Sequence, residues 1–289
     1  MKAAKQTPLL MCYGKTPYTP GSYLERALRN IGTPVDTVEK EVDFAKIDLG
    51  KYKAILFVES PARPPVVVAN RNLVKIPVIH WIHHGENRLD TNLELVAAYR
   101  PDLLLMSHSL HLAPLFSTSV EFFPFGADPH IFRSDIPLPD RTIDIAFAGS
   151  HTSIYAERDA NLRSMETSLS QRNCSFRKRP YLEKLSELYG NSKIVFNQTA
   201  DHIKTFNMRI FEGMGCGALV LTDDTPEQSR LFQDGKHYII FHSTEDLLEK
   251  ARYYLDHLDE AAKIAAAGHK HVLKAHTYEH RARQLLELF

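Results

Sequence analysis

The sequence predicts an α/β protein made of two tandem doubly wound, Rossmann-like domains facing each other across a cleft. Three observations predict it. The chain has 289 residues, about twice the usual length of one domain. Apolar runs of four to seven residues alternate with stretches of helical period from end to end, the pattern of parallel sheets covered on both faces. A proline-rich seam between Pro124 and Pro139 separates two such series.

In the first series, Leu9–Tyr13 reads as a strand and 22–31 as a helix, with Leu24, Ala27, Leu28 and Ile31 as its apolar stripe. Ser22 and Glu25 fit a capping box, and Gly32 stops the helix. Strands follow at Ala54–Val58, Val78–Ile82, Leu103–Met106 and Val120–Phe123, with a helix over 92–99. The second series opens with the strand Ile143–Ala148 and continues with a helix over about 156–170 and a strand at Cys174–Arg177. A helix over 181–189 leads to the strand Lys193–Asn197, a helix over 207–214 to the strand Ala218–Thr222, and His237–Phe241 is the last strand. Three helices beginning near Thr244, Asp259 and Thr277 close the chain. The expected domains are 1–127 and 128–289, hinged near Gly126 to Asp140, with the last helix, about 277–289, packing back on the first domain. In doubly wound sheets, ligands bind beyond the carboxyl ends of strands where strand order reverses, so the cleft is the expected site.

Composition narrows the function. Lys plus Arg equals Asp plus Glu at 35 each, so no basic face for nucleic acid is advertised. The three cysteines, Cys12, Cys174 and Cys216, form no CxxC pair. No apolar run approaches the roughly 20 residues of a membrane span, and the short apolar stretch after Met1 is no signal peptide. The expectation is a soluble cytoplasmic protein with no nucleic-acid partner and no transmembrane segment.

Four segments could carry chemistry. The first is Asn207–Gly217, NMRIFEGMGCG, followed at once by the apolar strand. Ile210, Phe211 and Met214 face the core in this reading. Arg209 then stands near the start of a short helix, whose free N–H groups and dipole make an anion site to which a guanidinium adds its fork of donors. Glu212, one turn on, could accept hydrogen bonds from vicinal sugar hydroxyls, or pair with Arg209 on the surface. The second is Gly149-Ser150-His151-Thr152, where backbone and hydroxyl donors could approach a phosphate, with Arg158 two turns further on. As a pattern it is equally an ordinary strand-to-helix turn.

The third is His80–Asn87, HWIHHGEN. Three histidines and a glutamate look like metal ligands, but on a strand His80 and His83 point to opposite faces and no second acidic cluster completes a site. One or two of these side chains hydrogen-bonding a ligand's hydroxyls is the better reading, with His80 as a structural histidine. The fourth is Phe123–Phe132, FPFGADPHIF, a stiff turn where the chain leaves the first sheet. No P-loop, GxGxxG, Gly-x-Ser-x-Gly or Asp-x-Asp is present, which leaves nucleoside triphosphatase, dinucleotide, serine-hydrolase and metal-diphosphate motifs unsupported. His257, His269 and His271 read as solvated.

These pieces, in this order, resemble the two-domain GT-B glycosyltransferases, and among them the CgeB-like branch of the family 4-type retaining enzymes, which includes spore-maturation proteins. The resemblance rests on Phe123 to Phe132 as a PxGxDxxxF linker, Ile145 to Ser150 as the first strand and glycine of the donor domain, and Asn207 to Gly217 as the RxFExxxxG segment. Asp234-Gly235 and His276-Thr277-Tyr278 add to it, so it covers nearly all of 120–289. The resemblance implies that the second domain binds a nucleoside diphosphate-sugar, most simply a UDP-sugar, with no cofactor and no metal. By similarity Glu212 holds the ribose hydroxyls. Arg209, with the helix start at Asn207 and Met208, faces the diphosphate, and Gly149, Ser150 and Arg158 lie near the phosphates or nucleoside. His83 or His84 approaches the transferred sugar from the other domain, and the acceptor is a glycan, a protein or a small molecule. The family pattern often carries a second glutamate eight positions before the first, where this chain has Lys204, so the sugar-contacting carboxylate is absent or displaced, for example to Asp201. A catalytically silent sugar-nucleotide-binding or structural protein, and a nucleotide-sugar epimerase of the same plan, are the alternatives.

Overall fold

The computed structural model describes residues 7–60, 62–150, 155–178, 180–200 and 205–289. The chain divides into two compact units, 1–125 with 278–289 and 126–277. In the first unit the order is β1 (Leu9–Cys12), α1 (Pro20–Asn30), β2 (Val35–Val38), β3 (Glu41–Asp43), β4 (Ala54–Val58), β5 (Val67–Ala69), β6 (Val78–Ile82), α2 (Leu89–Tyr99), β7 (Leu103–Met106) and β8 (Val120–Phe122). Six of these strands form one parallel sheet in the order β2-β1-β4-β6-β7-β8, and β3 pairs with β5 separately. Strand order reverses at β1 and β4, which are neighbours, with Leu9 opposite Ala54 and Cys12 opposite Phe57. Every residue of β1, β4 and β6 is buried, as expected of central parallel strands covered on both faces.

The second unit runs β9 (Ile143–Ala148), α3 (Ala156–Ser168), β10 (Cys174–Arg177), α4 (Glu183–Gly190), β11 (Ser192–Asn197), α5 (Met208–Gly215), β12 (Leu219–Asp223), β13 (Ile239–Phe241), α6 (Thr244–Asp256) and α7 (Leu258–Ala275). Its parallel sheet is ordered β10-β9-β11-β12-β13, so the reversal falls between β9 and β11. The last helix, α8 (Tyr278–Leu286), belongs to the first unit. There the buried Arg281 donates from Nε to the carbonyls of Pro124 at 2.9 Å and Phe125 at 3.1 Å, and Tyr278 packs on Tyr23 of α1.

Several expectations need correction. The capping box at Ser22 and Glu25 does not form. Thr19 is the N-cap and Pro20 the first helical residue, because proline's fixed φ and missing N–H suit that position. Ser22 Oγ instead donates to the Thr16 carbonyl at 2.7 Å, and Glu25 accepts from Tyr13 at 2.6 Å and Lys15 at 3.0 Å. The strands β2, β3 and β5 add to those the sequence predicts. His269 and His271 are packed rather than solvated. His269 Nδ1 lies 2.9 Å from the Met214 carbonyl, and His271 stacks on His237 at 4.2 Å with its Nε2 2.8 Å from the Leu231 carbonyl.

The helix α5 is fixed at both ends. Asn207 caps it, its Oδ1 accepting the Arg209 N–H at 3.0 Å. Its apolar face, Ile210, Phe211 and Met214, is completely buried, each side chain worth about 1.5–3 kcal/mol of transfer free energy. Gly213 packs so tightly against β11 and β12 that an added Cβ would lie 3.0 Å from Val220. After the helix, Gly217 takes φ +67°, a left-handed conformation that glycine adopts without strain. The buried Arg141 ties this end down, donating to the carbonyls of Cys216 at 2.8 Å and Ser192 at 2.9 Å.

Candidate functional site

In the second unit the residues singled out by sequence converge on the strand reversal. Arg209, in the first turn of α5, reaches across the carboxyl ends of both strands that flank it. Its Nε donates to the Ala148 carbonyl at the end of β9 at 3.0 Å, and its Nη1 donates to Asn197 Oδ1 at the end of β11. Asn197 Nδ2 continues the line to Thr222 Oγ1 on β12 at 2.9 Å. The guanidinium also lies over the Phe147 ring at 4.7 Å, a cation–π contact that helps hold it flat. Gly149 follows immediately. A Cβ there would meet the Phe147 ring at 2.5 Å and Arg209 Nη2 at 3.1 Å, so only glycine lets the backbone pass this close to the guanidinium.

Arg158 is the third residue of α3. It is buried on α3 and lies over the rings of Tyr155 at 3.7 Å and Phe147 at 4.9 Å. Its guanidinium donates to the carbonyls of Ser150 and Gln198, the latter at 3.3 Å. It therefore joins the segments leaving β9 and β11. The Gly149 N–H is engaged with the Arg177 carbonyl at 3.2 Å. Ser150, Met208 and Asn207 are half-buried around this point. Glu212 is buried one turn beyond Arg209; burial pushes its carboxyl up to about 7, with the positive charge of Arg209 opposing the shift. His151, Thr152, Asp201 and Lys204 lie outside the described residues.

In the first unit, the HWIHHGE segment leaves β6 at the carboxyl edge of the sheet. His80 is buried against Tyr99, ring centroids 5.2 Å apart, and burial lowers its pKa to about 4. His83 is 2% exposed, edge-on to Trp81 at 4.2 Å and to Phe125 at 5.7 Å. Burial, only partly opposed by Glu59, lowers its pKa to about 3, so the ring is neutral at physiological pH. The His84 side chain is 37% exposed. Both sit on a residue that sequence did not single out: Glu59, the first residue after β4. Its Oε2 accepts the backbone N–H groups of His83 at 2.5 Å and His84 at 2.8 Å. Among the described residues, no group of three or more His, Cys, Asp or Glu side chains is arranged to hold a metal ion.

Two fully parallel doubly wound sheets, the second with arginine, glycine and capped helix gathered at its strand reversal, define the class: a GT-B glycosyltransferase fold. A family model described as "Glycosyl transferase-like" matches residues 138–287, and the chain belongs to that family. The spore protein CgeB of Bacillus subtilis (strain 168) is 36% identical over 86 residues, 29% of this chain; the match spans only 26% of that relative's length. Among solved structures, Anabaena HepE in complex with UDP and glucose matches with a TM-score of 0.65 at 10% identity, covering 97% of this chain and 99% of that one. Sucrose-phosphate synthase from Thermosynechococcus elongatus matches with a TM-score of 0.67 at 12% identity, covering 97% and 98%. A glycosyltransferase from Rickettsia africae matches with a TM-score of 0.67 at 12% identity, covering 99% and 98%. Among the described residues, no helix is long and apolar enough to cross a membrane.

Proposed function

We propose that this protein transfers a sugar from a nucleoside diphosphate-sugar, of the UDP class, to a hydroxyl acceptor, with retention of configuration and without a metal. The observation that carries the reading is Arg209 spanning the carboxyl ends of β9 and β11, where a sheet of this order places its ligand. Family membership supports the transfer activity, and UDP and glucose in the HepE complex support the donor class.

Breaking the anomeric C–O bond leaves oxocarbenium character on the sugar and negative charge on the departing diphosphate. Arg209, fixed in advance by a carbonyl, an amide side chain and an aromatic ring, meets that charge without reorganising, and its attraction grows as the charge develops. The amides of the first turn of α5 at Asn207 and Met208 act in the same direction. Gly149 and Ser150 give the diphosphate room beside the guanidinium, and Arg158 holds these segments together and contributes its charge at short range. Glu212 accepts from the ribose hydroxyls. In the same reading His83 and His84 contact the transferred sugar. These groups balance the leaving-group charge without a cation or cofactor, so turnover is expected to survive a chelator.

A thermal-shift screen with UDP, GDP, ADP, CMP and dTDP tests the donor class, because a ligand of the native state raises the melting temperature by mass action. UDP is expected to give the largest shift. A larger shift with another nucleotide reassigns the base, and no shift with any of them counts against the function.

A further inference from the structure

The first unit contains a second preorganised element, and it centres on Glu59. This residue sits at the carboxyl end of β4, at the strand reversal of its own sheet. Its side chain is 1% exposed. A buried carboxylate is costly unless its charge is met, and here one turn meets it. Besides the two amides on Oε2, Arg88 Nε lies 3.0 Å and His84 Nδ1 3.3 Å from Oε1, within ion-pair reach but aligned for no hydrogen bond. Burial alone would raise this carboxyl, but the His84 contact and the His83 amide outweigh it and hold the group down at about 2. His84 is fixed from its other side as well, since Asn92 Nδ2 donates to its carbonyl at 2.6 Å.

We propose that Glu59 is the positioning residue of the turn that carries His83 and His84, acting through His84. In the neutral ring, a negative charge 3.3 Å from Nδ1 favours the tautomer with the proton on that nitrogen and the lone pair on Nε2. The Nδ1 atom is buried while the side chain as a whole is partly exposed. His84 thus presents a hydrogen-bond acceptor for a hydroxyl of the sugar or of its acceptor, whereas His83 is the packed residue that anchors the turn. This assignment rests on the transferase reading above, but the state of the ring does not.

Long-range proton–nitrogen NMR of the histidine rings in the full chain at pH 7.5 tests it. The wild type is expected to show His84 as the Nδ1–H tautomer. In Glu59→Gln the amide NH2 faces Nδ1, and the tautomer is expected to move to Nε2–H. The His83 and His84 backbone amide protons are expected to shift upfield as they lose a charged acceptor. A wild-type His84 already in the Nε2–H form overturns the proposal, even if the variant fails to fold. So does a folded variant whose ring and amides do not move.

Kinetics of UDP-glucose consumption supply the second arm. Glu59→Gln and His84→Ala are each expected to cost about ten-fold in kcat/KM, and the double variant no more than either alone, since the two act as one unit. Losses that multiply contradict action through His84. A rise confined to the KM for UDP-glucose points to the hydroxyl of the transferred sugar, and one confined to the KM of an added alcohol acceptor to the acceptor hydroxyl. A wild type that consumes no nucleotide-sugar contradicts the transferase reading, and the ring spectrum then decides Glu59 by itself.

Discussion

Arg209 and Phe147 form the pivot of the second unit: the guanidinium lies 4.7 Å from the ring centroid, and the same ring carries Arg158 at 4.9 Å. Phe147 is the penultimate residue of β9 and is fully buried. One aromatic ring therefore supports two cations beside the strand reversal, in a setting where like charges would otherwise repel. The two arginines differ in use. Arg209 is half-buried at the site, and Arg158 is buried and committed to backbone carbonyls.

Replacing Arg209 with lysine keeps a charge but removes the fork that holds the Ala148 carbonyl and Asn197 together. UDP affinity, measured by calorimetry, is expected to fall at least ten-fold. Stability in urea should drop by no more than about 2 kcal/mol, the scale of one or two hydrogen bonds. Unchanged affinity would remove the guanidinium from the leaving-group role.

Replacing Arg158 with methionine tests the other cation. Its carbonyl partners at Ser150 and Gln198 would lose their buried donor. Thermal and urea denaturation are expected to show a loss of about 2–4 kcal/mol, larger than for Arg209→Lys. A loss below that of Arg209→Lys would contradict the structural role.

Gly149→Ala introduces a methyl group 2.5 Å from the Phe147 ring and 3.1 Å from Arg209 Nη2. Either the ring or the guanidinium must move. UDP affinity is expected to fall about as much as in Arg209→Lys, and the double variant to show little further loss. Wild-type affinity in Gly149→Ala would show that close approach at this point does not matter.

The carboxyl of Glu212 is raised from an ordinary 4.5 to about 7, by burial first and against the pull of Arg209. The native state then binds a proton that the unfolded chain has released. Stability therefore declines as pH rises from about 4.5 to 7 and levels off above, by up to about 3 kcal/mol. Glu212→Gln cannot ionise, so it is expected to gain on the wild type between pH 5 and pH 8 in urea denaturation. A difference that is the same at both pH values would contradict the shift.

Most of the framework was legible in the sequence, because central parallel strands are short apolar runs with polar ends. Ala54–Val58, Val78–Ile82, Leu103–Met106, Ile143–Ala148 and Cys174–Arg177 were located to the residue. β2 escaped because Val35 and Val38 enclose Asp36 and Thr37, an edge strand with little apolar signal, and β3 and β5 are three residues each. Pro20, and not the Ser-x-x-Glu spacing of Ser22 and Glu25, sets the start of α1.

Arg209 could be found because RIFEG stands between a polar loop and a glycine-rich strand entry. Phe147 could not, since an aromatic residue in a buried strand reads as core until a cation is seen over it. Glu59 carries no spacing motif at all. Its only mark is being the first charged residue after five buried apolar ones, and its partners come from a turn more than twenty residues later.

The central claim is that the second unit holds a nucleoside diphosphate at its strand reversal through Arg209, and calorimetric titration of UDP into wild type and Arg209→Ala tests it most directly. The account predicts saturable binding by the wild type and at least ten-fold weaker binding by a variant that still unfolds cooperatively. Equal affinity in the two proteins, or no heat of binding with the wild type, would contradict it.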